Sequence, residues 1–201
     1  MTEIELMDKT KTTSKELKEK LLWKMMWRLG YKVALDEFKF MDVFGVRRSG
    51  FSVEFEIKVS KSDFNRELRC IHADADKIEK YGKDWEKFIK HRFYLTGKFP
   101  KTSYDLRMES LGICTNTQEI IRPNEFNFYV PDYMADYVLE KVADLPYGVV
   151  QIGYRDTPSG NRYFDDYLVL KKAVKLHQDK PSENIAWEVA RSACVRNKIL
   201  N

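Results

Sequence analysis

Apolar and polar residues change their period several times along this chain. From Ser14 to Gly30, Leu17, Leu21, Leu22, Met25, Met26 and Leu29 recur at helical spacing, with Ser14 as the N-cap and Gly30 as the stop. Residues 36–47 and 51–60 then read as a strand hairpin joined by Arg47–Arg48–Ser49–Gly50. Its second strand alternates strictly: Val53, Phe55, Ile57 and Val59 point one way, Glu54, Glu56 and Lys58 the other. Residues 62–90 read as charged helix with a break near Gly82, and 91–96 as a short strand or a helix end. Residues 97–124 show little periodicity and read as an insertion or long loop. Order returns with an apolar strand over 125–131, a helix over 132–142 and strands within 146–154 and 163–173. A closing amphipathic helix over 182–200 turns Ile185, Val189, Ala193 and Val195 inward. Helix, hairpin, helix, strand, helix, strand predicts an α/β domain with a mixed central sheet flanked by helices.

Composition narrows the class without naming a function. At 201 residues, 43% hydrophobic and 33% charged, the chain suits one soluble domain. A net charge of +4 is compatible with nucleic acid and too small to argue for it. Cys70, Cys114 and Cys194 lie far apart, which excludes a CxxC zinc site and argues for a reducing compartment. Without a long apolar run or an apolar leader, the expected location is the cytoplasm, with no membrane partner.

The candidate chemistry sits on the predicted hairpin. Asp42 falls in an apolar row with Phe38, Phe40, Phe44 and Val46, where a carboxylate needs a cation or a metal ion to compensate it. Glu56 and Lys58, two apart, share a face of the next strand. The same pair has a bland reading as a solvated strand face.

Asp42 followed by Glu56-Ile57-Lys58 resembles the PD-(D/E)xK nuclease superfamily, with Met41 at the nominal proline. The string Glu56-Ile57-Lys58-Val59-Ser60-Lys61-Ser62-Asp63-Phe64 is similar to a bacterial and phage branch that includes MmcB-like DNA-repair proteins. Residues 123–131, 147–152, 171–177 and 186–192 resemble later parts of that branch; residues 66–122 do not align and read as a probable insertion, within which 90-KH-91 or Lys77 could stand for a family helix end.

The resemblance implies a single restriction-endonuclease-like domain over 1–201 and a metal-dependent deoxyribonuclease acting in phage DNA metabolism or DNA repair. Asp42, Glu56 and the Ile57 carbonyl would hold Mg²⁺ or Mn²⁺. Lys58 would orient or activate water, or neutralise the developing charge, with a base-like role if its charged form is disfavoured. Many relatives add a glutamate from the first helix; Glu19 is the candidate and Glu16 its rival. Arg47, Arg48, Ser60, Lys61, Lys77 and Lys90 are the expected DNA contacts, with Lys171, Lys172 and Lys175 as a further basic group. Interleaved acids give the 77–92 lysines a second reading as a solvated helix face. Trp85, Tyr94 and Tyr104 are candidates for base stacking, or buried aromatics. The expected partners are DNA and, as in many relatives, a second copy of the chain. The alternative is a DNA-binding or interaction factor that keeps the fold without catalysis.

Overall fold

The computed structural model describes residues 13–73, 84–99, 120–156, 162–180 and 183–199. Helix α1 (Ser14–Trp27) is capped by Thr13, one residue before the expected cap, whose hydroxyl accepts from the Glu16 amide. Three strands follow: β1 (Tyr31–Phe38), β2 (Met41–Arg47) and β3 (Ser52–Ile57). Two helices, α2 (Lys61–His72) and α3 (Trp85–Thr96), lead to β4 (Glu125–Pro131). Helix α4 (Asp132–Lys141), strands β5 (Gly148–Asp156) and β6 (Arg162–Lys171) and helix α5 (Glu183–Ile199) complete the order.

The strands form one six-stranded sheet in sequential order. β1, β2 and β3 make an antiparallel meander, β3, β4 and β5 run parallel, and β6 returns antiparallel. The chain is therefore a mixed α/β fold, as its pattern predicts. The two parallel steps are bridged by α2–α3 and by α4, because parallel neighbours need a crossover.

The predicted hairpin has one strand more than its pattern shows. The single strand expected over 36–47 is two strands folded at Lys39–Phe40, with Phe38 opposite Met41. Glu37 and Lys39 take positive φ values of 46° and 57°. A left-handed turn made without glycine or asparagine leaves no punctuation to read.

The sheet is covered on both sides. Leu17, Leu21 and Met25 of α1 pack on Val43, Val53, Phe55 and Ile57. Gly45 permits this close approach, since a Cβ there would lie 2.4 Å from the Met25 Cε. On the opposite face, α2, α3 and α4 bury Phe64, Tyr94, Met134 and Val138 against Phe126, Phe128 and Val130. Val189 and Ile185 of α5 cover Leu35, Phe38 and Phe44; the side chains of Ala193 and Val195 lie outside the described residues. Among the described residues no helix is long and apolar enough to cross a membrane.

Candidate functional site

Register places the charged residues of β3. Glu54 pairs with Phe126 and Glu56 with Phe128 of β4, so both carboxylates rise on the face covered by α2 and α3. This face is buried: Glu54 is 0%, Glu56 4% and Lys58 2% exposed, which excludes the solvated-face reading. Helix α3 meets it with Lys87, Lys90, His91 and Tyr94, spaced i, i+3, i+4 and i+7 along one stripe. Helix α2 adds Glu67 from its buried row with Phe64 and Ile71.

These groups pair almost completely. Lys58 Nζ lies 2.9 Å from Glu56 Oε1, 3.1 Å from Glu67 Oε2 and 3.3 Å from Asp63 Oδ2. Lys90 Nζ sits 3.0 Å from Glu54 Oε1, 3.0 Å from Glu56 Oε2 and 3.4 Å from the Phe40 carbonyl. Lys87 bridges Glu67 and Glu56 from the half-exposed rim. Behind them, Tyr94 donates its hydroxyl to Glu54 Oε2 at 2.6 Å. His91 spans Glu67 Oε1 at 2.6 Å and the Tyr147 hydroxyl at 3.0 Å.

Burial and charge compete at each group. Burial and Glu67 both oppose the Glu56 carboxylate, yet Lys58, Lys90 and Lys87 outweigh them and hold it near about 2. Burial dominates at Glu54, which is raised to about 7 despite Lys90. Burial also lowers His91 below its ordinary value, against the pull of Glu67. A neutral ring donating from Nε2 to Glu67 and accepting at Nδ1 from Tyr147 satisfies both contacts. Burial works against Lys58 too, but Glu56, Glu67 and Asp63 raise it well above its ordinary value. Lys58 is thus a held ammonium, which disfavours the base-like role and leaves that of a charged donor, also among the expectations.

Asp42 stands at the edge of this cluster. Its Oδ2 accepts from the Ile57 amide at 2.9 Å, and its Oδ1 meets Lys18 Nζ at 2.8 Å. Burial and then repulsion from Glu56 raise its pKa, with Lys18 and the Ile57 amide opposing. The three sequence-predicted residues Asp42, Glu56 and Lys58 are therefore brought together electrostatically. Asp42 and Glu56 are the carboxylates that would hold the expected Mg²⁺ or Mn²⁺, ions that bind through one or two protein carboxylates and keep water. Among the described residues no cluster of three or more acidic, histidine or cysteine side chains is placed to hold a metal.

Several expected residues lie elsewhere. Glu19 is 65% exposed and 4.0 Å from Lys15, while Glu16 pairs with Lys20. The first helix sends Lys18, not a glutamate, to the site, because Lys18 is the residue whose turn of the helix passes Asp42. Lys90 is buried between carboxylates and is not a DNA contact. Arg47 makes a two-pronged bond to Glu125, at 3.1 and 2.8 Å. Ser60 caps α2 through the Asp63 amide, and exposed Lys61 lies 4.7 Å from the Tyr137 ring centroid. Arg48 is exposed at the hairpin tip. Lys171 donates to the Val142 and Leu145 carbonyls after α4, so it closes that helix end. Tyr94 is fully buried and cannot stack on a base. Lys77, Tyr104 and the Trp85 side chain lie outside the described residues.

The sequence reading missed Lys18, Glu67 and Tyr147, and gave Glu54, Lys87, His91 and Tyr94 no place in the cluster. Two signals were present. Glu67 occupies an inward position three residues after Phe64 and four before Ile71, and the 87, 90, 91, 94 spacing makes a continuous inward stripe on α3. Both lie within 66–122, so the region that reads as an insertion supplies much of the cluster. No protein-family model, curated protein or solved structure matches this chain.

Proposed function

We propose that this chain is a metal-dependent deoxyribonuclease of restriction-endonuclease-like architecture, with Asp42, Glu56 and Lys58 at its centre. One observation carries the reading. Asp42 accepts from the Ile57 amide, between Glu56 and Lys58, which pair with each other at the carboxyl end of β3, where a buried charge cluster costs stability that an apolar core would not. The leading helix, the strand meander and the helical crossover into a parallel strand support the same reading.

Asp42 and Glu56 would hold Mg²⁺ or Mn²⁺, which when bound acidifies a coordinated water and offsets charge on a phosphodiester. Lys18 and Lys90 neutralise these two carboxylates in the structure, a role a divalent ion would share when bound. The Ile57 carbonyl is a proposed further oxygen. Lys58 has three N–H donors: Glu56 and Glu67 accept hydrogen bonds from it, and Asp63 is a third carboxylate in ion-pair contact. Asp63 is the longest and most exposed of these, at 3.3 Å and 33% exposure, so a phosphate oxygen replaces it most easily. Lys58 then donates to the phosphate or the attacking water and stabilises developing negative charge. Glu67 fixes Lys58 from behind, and His91 with Tyr147 fixes Glu67.

The test is incubation of single-stranded, duplex and branched DNA with Mg²⁺ or Mn²⁺, beside Glu56→Ala and Lys58→Ala. Metal-dependent cleavage that disappears in both variants is expected. A second reading, a DNA-binding scaffold, is favoured by one feature: every carboxylate of the cluster already has an ammonium or amide partner. Calorimetric titration with Mn²⁺ separates the two, because a scaffold takes up no divalent ion.

A further inference from the structure

A second charged concavity lies at the opposite end of β3, about 20 Å from Lys58 at strand rise per residue. It encloses about 800 Å³ between the β2–β3 turn, the start of β1, the segment after β6 and helix α5. Lys32, Arg47, Arg48 and Lys180 line it, with Trp187 on its wall and no acidic side chain in its lining among the described residues. Among the described residues, only Arg47 of these four cations forms an ion pair.

The cations are held by features of the fold. Gly50 has φ +85°, and the Lys180 stem packs across the space a Cβ would fill. Lys180 Nζ and Lys175 Nζ lie 5.6 and 3.6 Å from the Phe51 ring centroid. Both ammonium groups are drawn to the face of one ring, and among the described residues neither has an ion-pair partner, which leaves two positive charges side by side for an anion to meet. Trp187 is 71% exposed beside them, a large flat apolar surface left in water.

We infer that this concavity binds a single-stranded nucleic-acid segment, with phosphates on Lys32, Arg48 and Lys180 and a base stacked on Trp187. Cations that track a backbone beside one exposed aromatic ring are the ingredients of sequence-tolerant single-strand binding. The inference rests on the nucleic-acid reading proposed for the Asp42–Glu56–Lys58 cluster and adds to it the form of the substrate and where its flank is held. Arg47 is committed to Glu125 and serves as the wall.

The experiment measures affinity of a short labelled oligodeoxythymidylate and of a mixed-sequence duplex in EDTA, where no cleavage occurs. Proteins compared are wild type, Arg48→Ala/Lys180→Ala and Trp187→Ala, each checked for an unchanged melting temperature. The double variant is expected to bind the oligonucleotide at least about tenfold more weakly, with a log–log salt slope lower by about 1.4 for two lost phosphate contacts. Trp187→Ala is expected to weaken single-strand binding by about five-fold or more and to leave duplex binding unchanged. Unchanged affinity and slope in the double variant overturns the inference, as does tighter binding of duplex than of single strand. Metal-dependent cleavage by wild type is scored separately. Cleavage without these binding changes removes only the second site; the binding changes without cleavage remove only the nuclease reading.

Discussion

Val53, Phe55 and Ile57 on one face of β3 and Glu54, Glu56 and Lys58 on the other are all buried, yet they are held by opposite means. Under α1 the first set meets Leu17, Leu21 and Met25, and burial itself stabilises. Under α2 and α3 the second set meets Glu67, Lys87 and Lys90, and burial costs several kcal/mol per ion before pairing offsets it. Six consecutive residues thus show that depth alone does not define a core. The apolar face explains the fold; the charged face adds little to stability that an apolar replacement could not supply, so its chemistry needs another account.

The sharpest way to break this comparison is to damage each face in turn. Glu56→Gln should abolish cleavage by at least about a hundredfold, as loss of a charge-stabilising group does. Phe55→Ala should lower stability by about 3–5 kcal/mol in chemical denaturation, while cleavage per folded molecule at low temperature persists. If Phe55→Ala abolishes cleavage in protein shown to be folded, the division between the faces fails.

Next in size is a stability cycle. Lys58→Met alone leaves Glu56 and Glu67 short of a partner and should cost about 3–5 kcal/mol. Adding Glu56→Leu should recover part of that loss without restoring cleavage. Strictly additive losses would mean that the two side chains are not coupled.

The charged face should also titrate where the apolar face cannot. Glu54 has its pKa raised from 4.5 to about 7, so the native state holds a proton that the unfolded chain has released. Stability from this group therefore falls as pH rises through that interval. Glu56 is lowered from 4.5 to about 2; its contribution is complete above 4.5 and is lost as pH falls towards 2. Melting temperatures should change less between pH 4.5 and 7 in Glu54→Gln, and less between pH 4.5 and 2 in Glu56→Gln. The smallest effect is expected at Glu19, exposed on α1. Glu19→Ala should alter stability by less than about 0.5 kcal/mol and leave cleavage intact.

How much of this was legible in the sequence differs by residue. Strict alternation in β3 and Pro131 at the end of β4 made those strands legible, because period and punctuation are local properties. Asp42, Glu56 and Lys58 could be grouped from strand pairing alone. Glu67 and Lys90 could not be joined to them, since their meeting depends on how two helices cross the sheet. Lys90 reads as a surface cation beside Glu86 and Lys87, and only the packing of α3 turns it inward. Lys18 was hidden for a similar reason: the helical pattern shows which side of α1 is apolar, but not which turn lies over the end of β2.

The parallel junction between β3 and β4 has a consequence in time. Val53 pairs with Glu125, whereas β1, β2 and β3 join through short turns. The meander can form from local contacts while loop closure to β4 is still to come, and non-local pairing is the slower event. On a meander without α3, Glu54 and Glu56 would stand in water without the Lys90 ammonium that pairs with both in the folded chain. Like charges beside a strand edge that is still open are the kind of feature that discourages pairing with another chain's apolar strand.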